Sequence, residues 1–159
     1  MVPAMARDAP RYDYGRLGNL LPAMFEILEH TADIGFRARG RTAQDLFTAS
    51  SMALVSVALE TVAVSPRAEY PLEAAGCDRE SLLVNWLSEV LFLLDGRQLV
   101  FHHFRIDELT SASARGVGVG EPRDPARHQA RLIVKGVTYH QLRIEQDEQG
   151  WSAEVYLDI

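Results

Sequence analysis

The sequence ends Trp151-Ser152-Ala153-Glu154-Val155-Tyr156-Leu157-Asp158-Ile159, an alternation of apolar and polar residues with the period of a β-strand. Trp151, Ala153, Val155 and Leu157 fall on one face; Ser152, Glu154, Tyr156 and Asp158 fall on the other. Asp158 therefore projects from the polar face, and the α-carboxylate of Ile159 continues the same strand edge, so two carboxylates stand covalently adjacent. Chain ends usually fray, and a solvated tail is one reading. The other is a hard-cation site. Carboxylate oxygens suit Ca²⁺, Mg²⁺ or Mn²⁺, and a third carboxylate from elsewhere would complete a cage. Asp33 is the leading candidate for that third ligand, because His30-Thr31-Ala32-Asp33-Ile34-Gly35 reads as a turn between two short strands. An aspartate in a turn can equally bond only its own backbone. His30, three residues earlier, could orient a carboxylate or contact a partner group.

Other combinations carry less chemistry. The single cysteine, Cys77, excludes an internal disulfide and a thiolate-type zinc site. Its place just before a helix suggests packing rather than nucleophilic use. On a regular strand His102 and His103 point to opposite faces and make a poor chelate. A hydrolase could use His140 as base with Asp33 and Glu121 as carboxylate partners, but no serine or threonine lies in a Gly-x-Ser-x-Gly elbow. Gly116-Val117-Gly118-Val119-Gly120 is followed by no helix, so it is not a phosphate loop.

These side chains need elements to place them. Phe25, Ile27, Ile34, Phe36 and Ala38 alternate with polar neighbours as two strands flanking the His30–Asp33 turn. Thr42 precedes Asp45 at capping-box spacing, and Leu46, Phe47, Ala53, Leu54 and Val57 form an apolar stripe, predicting a helix over about 43–58. Arg67 to Glu73 reads as a strand kept to an edge by Pro71. Asp78 caps a second helix over about 79–94, whose leucines and Trp86 cover so much of its circumference that it must be largely buried; Gly96 is its stop. Extended segments follow at 99–106, 109–119, 128–134, 138–144 and 151–157, with 120–127 a loop and Asp147-Glu148-Gln149-Gly150 a hairpin turn. The expected fold is α+β: a single domain with two helices packed on a mainly antiparallel sheet, over 24–159, preceded by a flexible extension at 1–23.

Composition narrows the function classes. The chain has 159 residues, 47% of them hydrophobic, and a formal net charge of −6. That length can bury about 70% of the unfolded surface around one core. No Lys/Arg cluster interleaved with aromatics occurs, which disfavours direct nucleic-acid binding. No apolar run reaches the roughly 18 residues that a membrane crossing needs, and residues 1–23 lack a secretory pattern. The expected location is the cytoplasm. Among the 16 basic residues Lys135 is the sole lysine.

His30-Thr31-Ala32-Asp33-Ile34-Gly35, Leu82-Leu83 and Trp86-Leu87 with Leu94-Asp95, Gly120-Glu121 with Asp124 and His128, Lys135-Gly136-Val137-Thr138-Tyr139-His140, and the final Asp158-Ile159 together resemble the archease family. The resemblance covers about residues 25–159; Gly136 departs from the alanine expected after the lysine. It implies a small α+β protein that is not itself an enzyme but assists RtcB-type RNA ligases, which join a 2′,3′-cyclic or 3′-phosphate end to a 5′-hydroxyl in tRNA splicing and RNA repair. The ligase must first accept a guanylyl group on its own histidine, and an archease promotes that activation and multiple turnover. RNA would be met only through the ligase. The family's metal positions correspond to Asp33, Asp158 and Ile159, with Ca²⁺ the first expectation and Mg²⁺ or Mn²⁺ the alternatives. His30, Glu121, Lys135 and His140 are candidates for contacting the partner or supporting the ligands. The competing readings are a stand-alone metal-dependent phosphohydrolase and a general chaperone or RNA-processing adaptor.

Overall fold

The structure, a computed structural model, describes residues 24–29 and 33–159. The expected extension at 1–23 and His30, Thr31 and Ala32 of the first turn lie outside them. The chain forms two antiparallel sheets rather than the single sheet expected. In the first, β1 (Phe25–Glu29) pairs with β2 (Ile34–Gly40), β2 pairs with β8 (Gly150–Asp158), and the far edge of β8 is shared by β6 (Gly136–Val137) and β7 (Arg143–Asp147). The last strand of the chain is thus an interior strand. In the second sheet β5 (Ser113–Pro122) lies between β3 (Ala68–Ala75) and β4 (Leu99–Leu109). β3 is an edge strand, as Pro71 requires.

The helices join the sheets. α1 (Ala43–Ala58) starts on a reciprocal capping box: Asp45 N–H donates to Thr42 Oγ1 at 3.1 Å and Thr42 N–H donates to Asp45 Oδ2 at 3.2 Å. Its buried residues run all round the helix, not along the single stripe expected, because it packs on β2 of one sheet and β4 of the other. α2 (Arg79–Leu91) is capped by Asp78 and packs mainly on β3. Its continuation, Phe92–Gly96, widens into a π-helical turn, which accounts for the longer helix expected to residue 94. Trp86 Nε1 donates to Ser51 Oγ at 2.8 Å, so the largest buried side chain of α2 is tied to α1 by a satisfied polar group.

The glycines of β5 serve packing. A Cβ on Gly118 would lie 2.5 Å from the Phe101 ring, which packs on Phe104 at a centroid distance of 4.9 Å. Two expected strands come out differently. Residues 128–134 form a strap with one ladder bridge, Ala130 to Leu59. Its backbone bonds instead flank the end of α1: Glu60 N–H donates to Gln129 O and Arg131 N–H to Ala58 O, both at 2.9 Å. The segment 138–144 is broken by a turn in which Gln141 takes a φ of 51°, leaving β6 and β7 as separate short strands. The register of β4 slips between Phe101 and His103, and this bulge corrects the expectation that the histidines part: their Nδ1 atoms lie 2.9 Å apart. Among the described residues no helix is long and apolar enough to cross a membrane.

Candidate functional site

The register between β2 and β8 places the carboxylates singled out in the sequence. Its last pair is Ile34 with Leu157, preceded by Gly35 with Tyr156, Phe36 with Val155 and Arg37 with Glu154. Phe36, Val155 and Leu157 are buried, and the alternate positions on the other face are the half-buried Arg37 and Glu154 and Tyr156, which is covered to 5% exposure. One step beyond Ile34 and Leu157, on that same parity, Asp33 and Asp158 come opposite each other. Both are exposed. Neither has an ion pair or side-chain hydrogen bond among the described residues. On the other side of β8, Gly136 pairs with Asp158 and Lys135 N–H donates to Asp158 O at 2.7 Å. The backbone under Asp158 is therefore held from the β6 side as well, and exposed Lys135 is the cation adjacent to it in the ladder.

The row beneath the aspartates is rigid. Tyr156 lies across Gly35, where a Cβ would come 2.8 Å from its ring and 2.5 Å from Val155 O, so only glycine fits. The phenol donates to Glu154 at 3.0 Å; His140 meets the ring edge-on at 6.1 Å; Thr138 Oγ1 and N–H both donate to Tyr156 O. The Glu154 hydrogen bond, with burial and the charges of Glu154 and Asp33, holds the Tyr156 phenol above its ordinary pKa. The field of Asp33 thus reaches the tyrosine under it. A further row runs Glu26, Arg37, Glu154, with Arg37 bonded to Glu26 at 2.8 Å and to Glu154 at 2.9 Å. In that row both carboxylates are ion-paired with Arg37.

Two opposed carboxylates without a protein cation between them are an all-oxygen donor set, the chemistry of a hard divalent cation. The residues present fit such an ion on those grounds. Among the described residues no group of three His, Cys, Asp or Glu side chains converges.

The remaining candidates separate. His30 lies outside the described residues. Lys135 and His140 flank the end of β8 and are exposed. Glu121 is elsewhere, in β5 of the second sheet, and is 1% exposed. Its Oε1 accepts from Ser65 N–H at 3.2 Å, Arg127 at 2.9 Å and His128 Nε2 at 2.8 Å, and its Oε2 accepts from Arg67 at 2.9 Å. Burial alone would raise the Glu121 pKa, but Arg127, the Ser65 N–H and His128 together hold it below the ordinary glutamate value. His128 Nδ1 accepts from Asp124 N–H at 2.8 Å, which fixes its proton on Nε2 toward Glu121. Glu121 is therefore a buried clasp for the strap, with no surface to offer a partner. A hydrolytic trio of His140, Asp33 and Glu121 is not assembled. His128 and His140 likewise serve different sheets.

Two further departures matter less. Cys77 is exposed rather than packed, with its Sγ 3.5 Å from Ser81 Oγ. Burial, reinforced by His102 and Arg105, pushes His103 down to about 4, so that imidazole is neutral at physiological pH. Sequence reasoning missed the support that Tyr156 receives from Gly35. Gly35 in β2 and Tyr156 in β8 are far apart in the chain, and neither carried pairing information until the register was known.

Residues 25–159 match the model of the archease protein family. The archease of Methanosarcina mazei is 38% identical over 139 residues, covering 85% of this chain and 95% of that protein. The archease of Methanopyrus kandleri is 38% identical over 138 residues, covering 85% and 99%. Among solved structures, the solution structure of Methanobacterium thermoautotrophicum protein 1598 matches with a TM-score of 0.70 at 33% identity, over 86% of this chain and 99% of that one. The crystal structure described as an archease, possible chaperone, from Thermotoga maritima matches with a TM-score of 0.52 at 18% identity, over 84% and 96%, a likeness of fold.

Proposed function

The chain belongs to the archease protein family, and from that premise we propose that it is a non-enzymatic, metal-binding activator of an RtcB-type RNA ligase, promoting guanylylation and multiple turnover of that ligase in tRNA splicing and RNA repair. The observation that supports the reading is the register of β2 on β8, which ends at Ile34 and Leu157 and, continued by one residue, would bring Asp33 opposite Asp158 at the exposed end of an interior strand. Asp33, Asp158 and the α-carboxylate of Ile159 are the proposed ligands, and Ca²⁺ is the first candidate ion, ahead of Mg²⁺ and Mn²⁺.

The chain's own residues do the positioning. The β6 ladder at Asp158 and the β2 ladder up to Leu157 hold the backbone from which its carboxylate projects, and Tyr156, wedged on Gly35 and bonded to Glu154, stiffens the floor beneath. Asp33 and Asp158 present oxygens outward, where a protruding acidic tip can enter the basic mouth of a phosphate-binding pocket. When bound, a divalent cation supplies charge that offsets the negative charge developing as a nucleotide phosphate is attacked. Lys135, beside Asp158, is positioned to meet a phosphate or a carboxylate of the ligase. A net charge of −6 makes independent RNA binding unfavourable, so RNA is reached through the ligase. The proposed place of action is the cytoplasm.

The test is a guanylylation assay with the cognate ligase, GTP and divalent cation. Asp33→Ala and Asp158→Ala should each abolish the stimulation given by the unaltered chain while leaving the circular dichroism spectrum unchanged. An added residue after Ile159 should do the same. Full stimulation by both aspartate variants would refute the metal-tip reading, and phosphate release by the chain without ligase would favour the hydrolase.

A further inference from the structure

Exposed apolar side chains are not spread evenly over this molecule. Seven large ones are exposed among the described residues. Ile27, Val62 and Phe92 stand apart on β1, the segment after α1 and the end of α2. Of the other four, Leu132, Ile133 and Tyr139 lie within four residues of β6 in the chain, and Ile159 follows β8, the strand that β6 pairs with. Ile133 is 78% exposed and Tyr139 59%.

The ladder fixes their relation to the aspartates. Gly136 is the residue paired with Asp158, and Ile133 and Tyr139 lie three residues before and after it, each within roughly 10 Å along the chain. By the antiparallel register the chain before Gly136 leads past the end of β8, towards Ile159, and the chain after it runs back beside Tyr156, so Ile133 lies towards the tip and Tyr139 beneath it, both on the β6 side of Asp158. The backbone that displays them is anchored on both sides. Arg131 N–H is bonded to Ala58 O, Val134 is buried at 5% exposure, Lys135 N–H is bonded to Asp158 O, and Thr138 is bonded twice to Tyr156 O. Fraying does not explain the exposure of Ile133: its neighbour Val134 reaches the core while Ile133 is held outward.

We propose that these four side chains form an apolar collar that docks the acidic tip onto the rim of a basic, phosphate-binding pocket in a protein partner. The proposal rests on the reading above, in which that partner is an RtcB-type ligase. Charge selects the occupant. A second copy of this chain would bring the same aspartates and the same net charge of −6 against themselves, whereas a basic pocket complements them. Apolar contact around the tip excludes water from the central charged groups, the arrangement in which they act most strongly. The two parts then divide the work: the collar supplies affinity, and the aspartates supply the effect on the ligase.

That division is measurable. Binding of the full chain to purified ligase is followed by biolayer interferometry at 50 and 500 mM salt, and guanylylation is followed at saturating concentration. Ile133→Ser with Tyr139→Ser should raise Kd at least tenfold at both salt concentrations, yet retain full stimulation once enough protein is added. Asp33→Asn should lose stimulation at saturation, with a Kd change that shrinks at high salt. Both collar positions are exposed, and an unchanged melting curve confirms that the variant is folded. If the double variant binds as tightly as the unaltered chain while the latter stimulates, the collar is wrong and the function stands. If the unaltered chain neither binds nor stimulates the ligase, the ligase reading falls and takes the collar's occupant with it. A self-association of the unaltered chain that the double variant abolishes would overturn the proposal in favour of a second copy.

Discussion

Replacing Asp33 by asparagine should change the sign of its effect on stability when a divalent cation is added. The register puts Asp33 opposite Asp158, a relation in which Cβ atoms lie about 4.5–5.5 Å apart. Both side chains are exposed, so the appropriate dielectric is close to that of water, and two unit charges about 5 Å apart repel by about 0.8 kcal/mol before screening. Salt reduces this to about 0.5 kcal/mol at ordinary ionic strength. Asparagine removes the repulsion while keeping the shape. In EDTA the variant should therefore melt at or slightly above the unaltered chain, by about 1–2 °C for a domain of this size. With Ca²⁺ at about 100 times its Kd, the unaltered chain gains about 2.7 kcal/mol from linkage, a rise of about 5–10 °C. The variant loses a ligand and should gain little, so that it now melts well below. Calorimetry on both proteins in EDTA and in CaCl₂ gives the four values needed. Equal Ca²⁺-induced shifts in the two proteins would refute the assignment of Asp33 as a ligand. So would a variant that is several degrees less stable in EDTA, since that would make Asp33 a structural residue.

Further outcomes follow from Glu121 and Ser51, away from the tip, and from Gly35 beneath it. Glu121→Ala leaves His128 buried without its acceptor, strips Arg67 of its ion pair and leaves Arg127 with only Asp124, and urea unfolding should give a loss of about 3–5 kcal/mol. Because the folded pKa of Glu121 is depressed, its stabilisation is complete above the ordinary glutamate value and disappears as pH falls through the lower folded value; Glu121→Gln should flatten that acid limb of the stability curve. Ser51→Ala orphans the buried Trp86 Nε1–H and should cost about 1–3 kcal/mol, with a change in tryptophan fluorescence. Gly35→Ala forces a methyl against Val155 O and the Tyr156 ring, and should cost about 1–3 kcal/mol in urea and alter the near-ultraviolet circular dichroism of Tyr156.

The helices were legible because their signals are local. Thr42 and Asp45, and Asp78 with Ser81, fix helix starts within four residues, and α1 begins and ends where the sequence places it. Pro71 marked an edge strand for an equally local reason, its missing N–H. The split into two sheets was not legible, since it depends on which strands pair. β2 meets β8 across more than a hundred residues, and alternation assigns faces without choosing a partner. The same limit divided the site. Parity put Asp158 on the outward face correctly, but its opposition to Asp33 needed the register. In sequence Glu121 was a candidate carboxylate on the same footing as Asp33. Only the arrival of Arg67 and Ser65 from over fifty residues away shows it to be buried and satisfied. For residues 128–134, β propensity was outweighed by backbone partners at the end of α1.

The contrast between Glu121 and the aspartate pair is itself an argument about function. A carboxylate that serves the fold gathers donors: Glu121 has four, from two arginines, a histidine and a backbone N–H, and it is sealed from water. Asp33 and Asp158 gather none among the described residues and face each other in the open. Flexibility would be the ordinary escape from that repulsion, and a chain end is where flexibility is cheapest. Here it is denied. Leu157 is buried, β8 is paired on both edges, and Lys135 and Gly136 hold the backbone of Asp158 itself. Like charges kept together on a rigid backbone lower stability unless something positive joins them. An ion that binds there meets ligands already in place, so little ordering cost is left to oppose it.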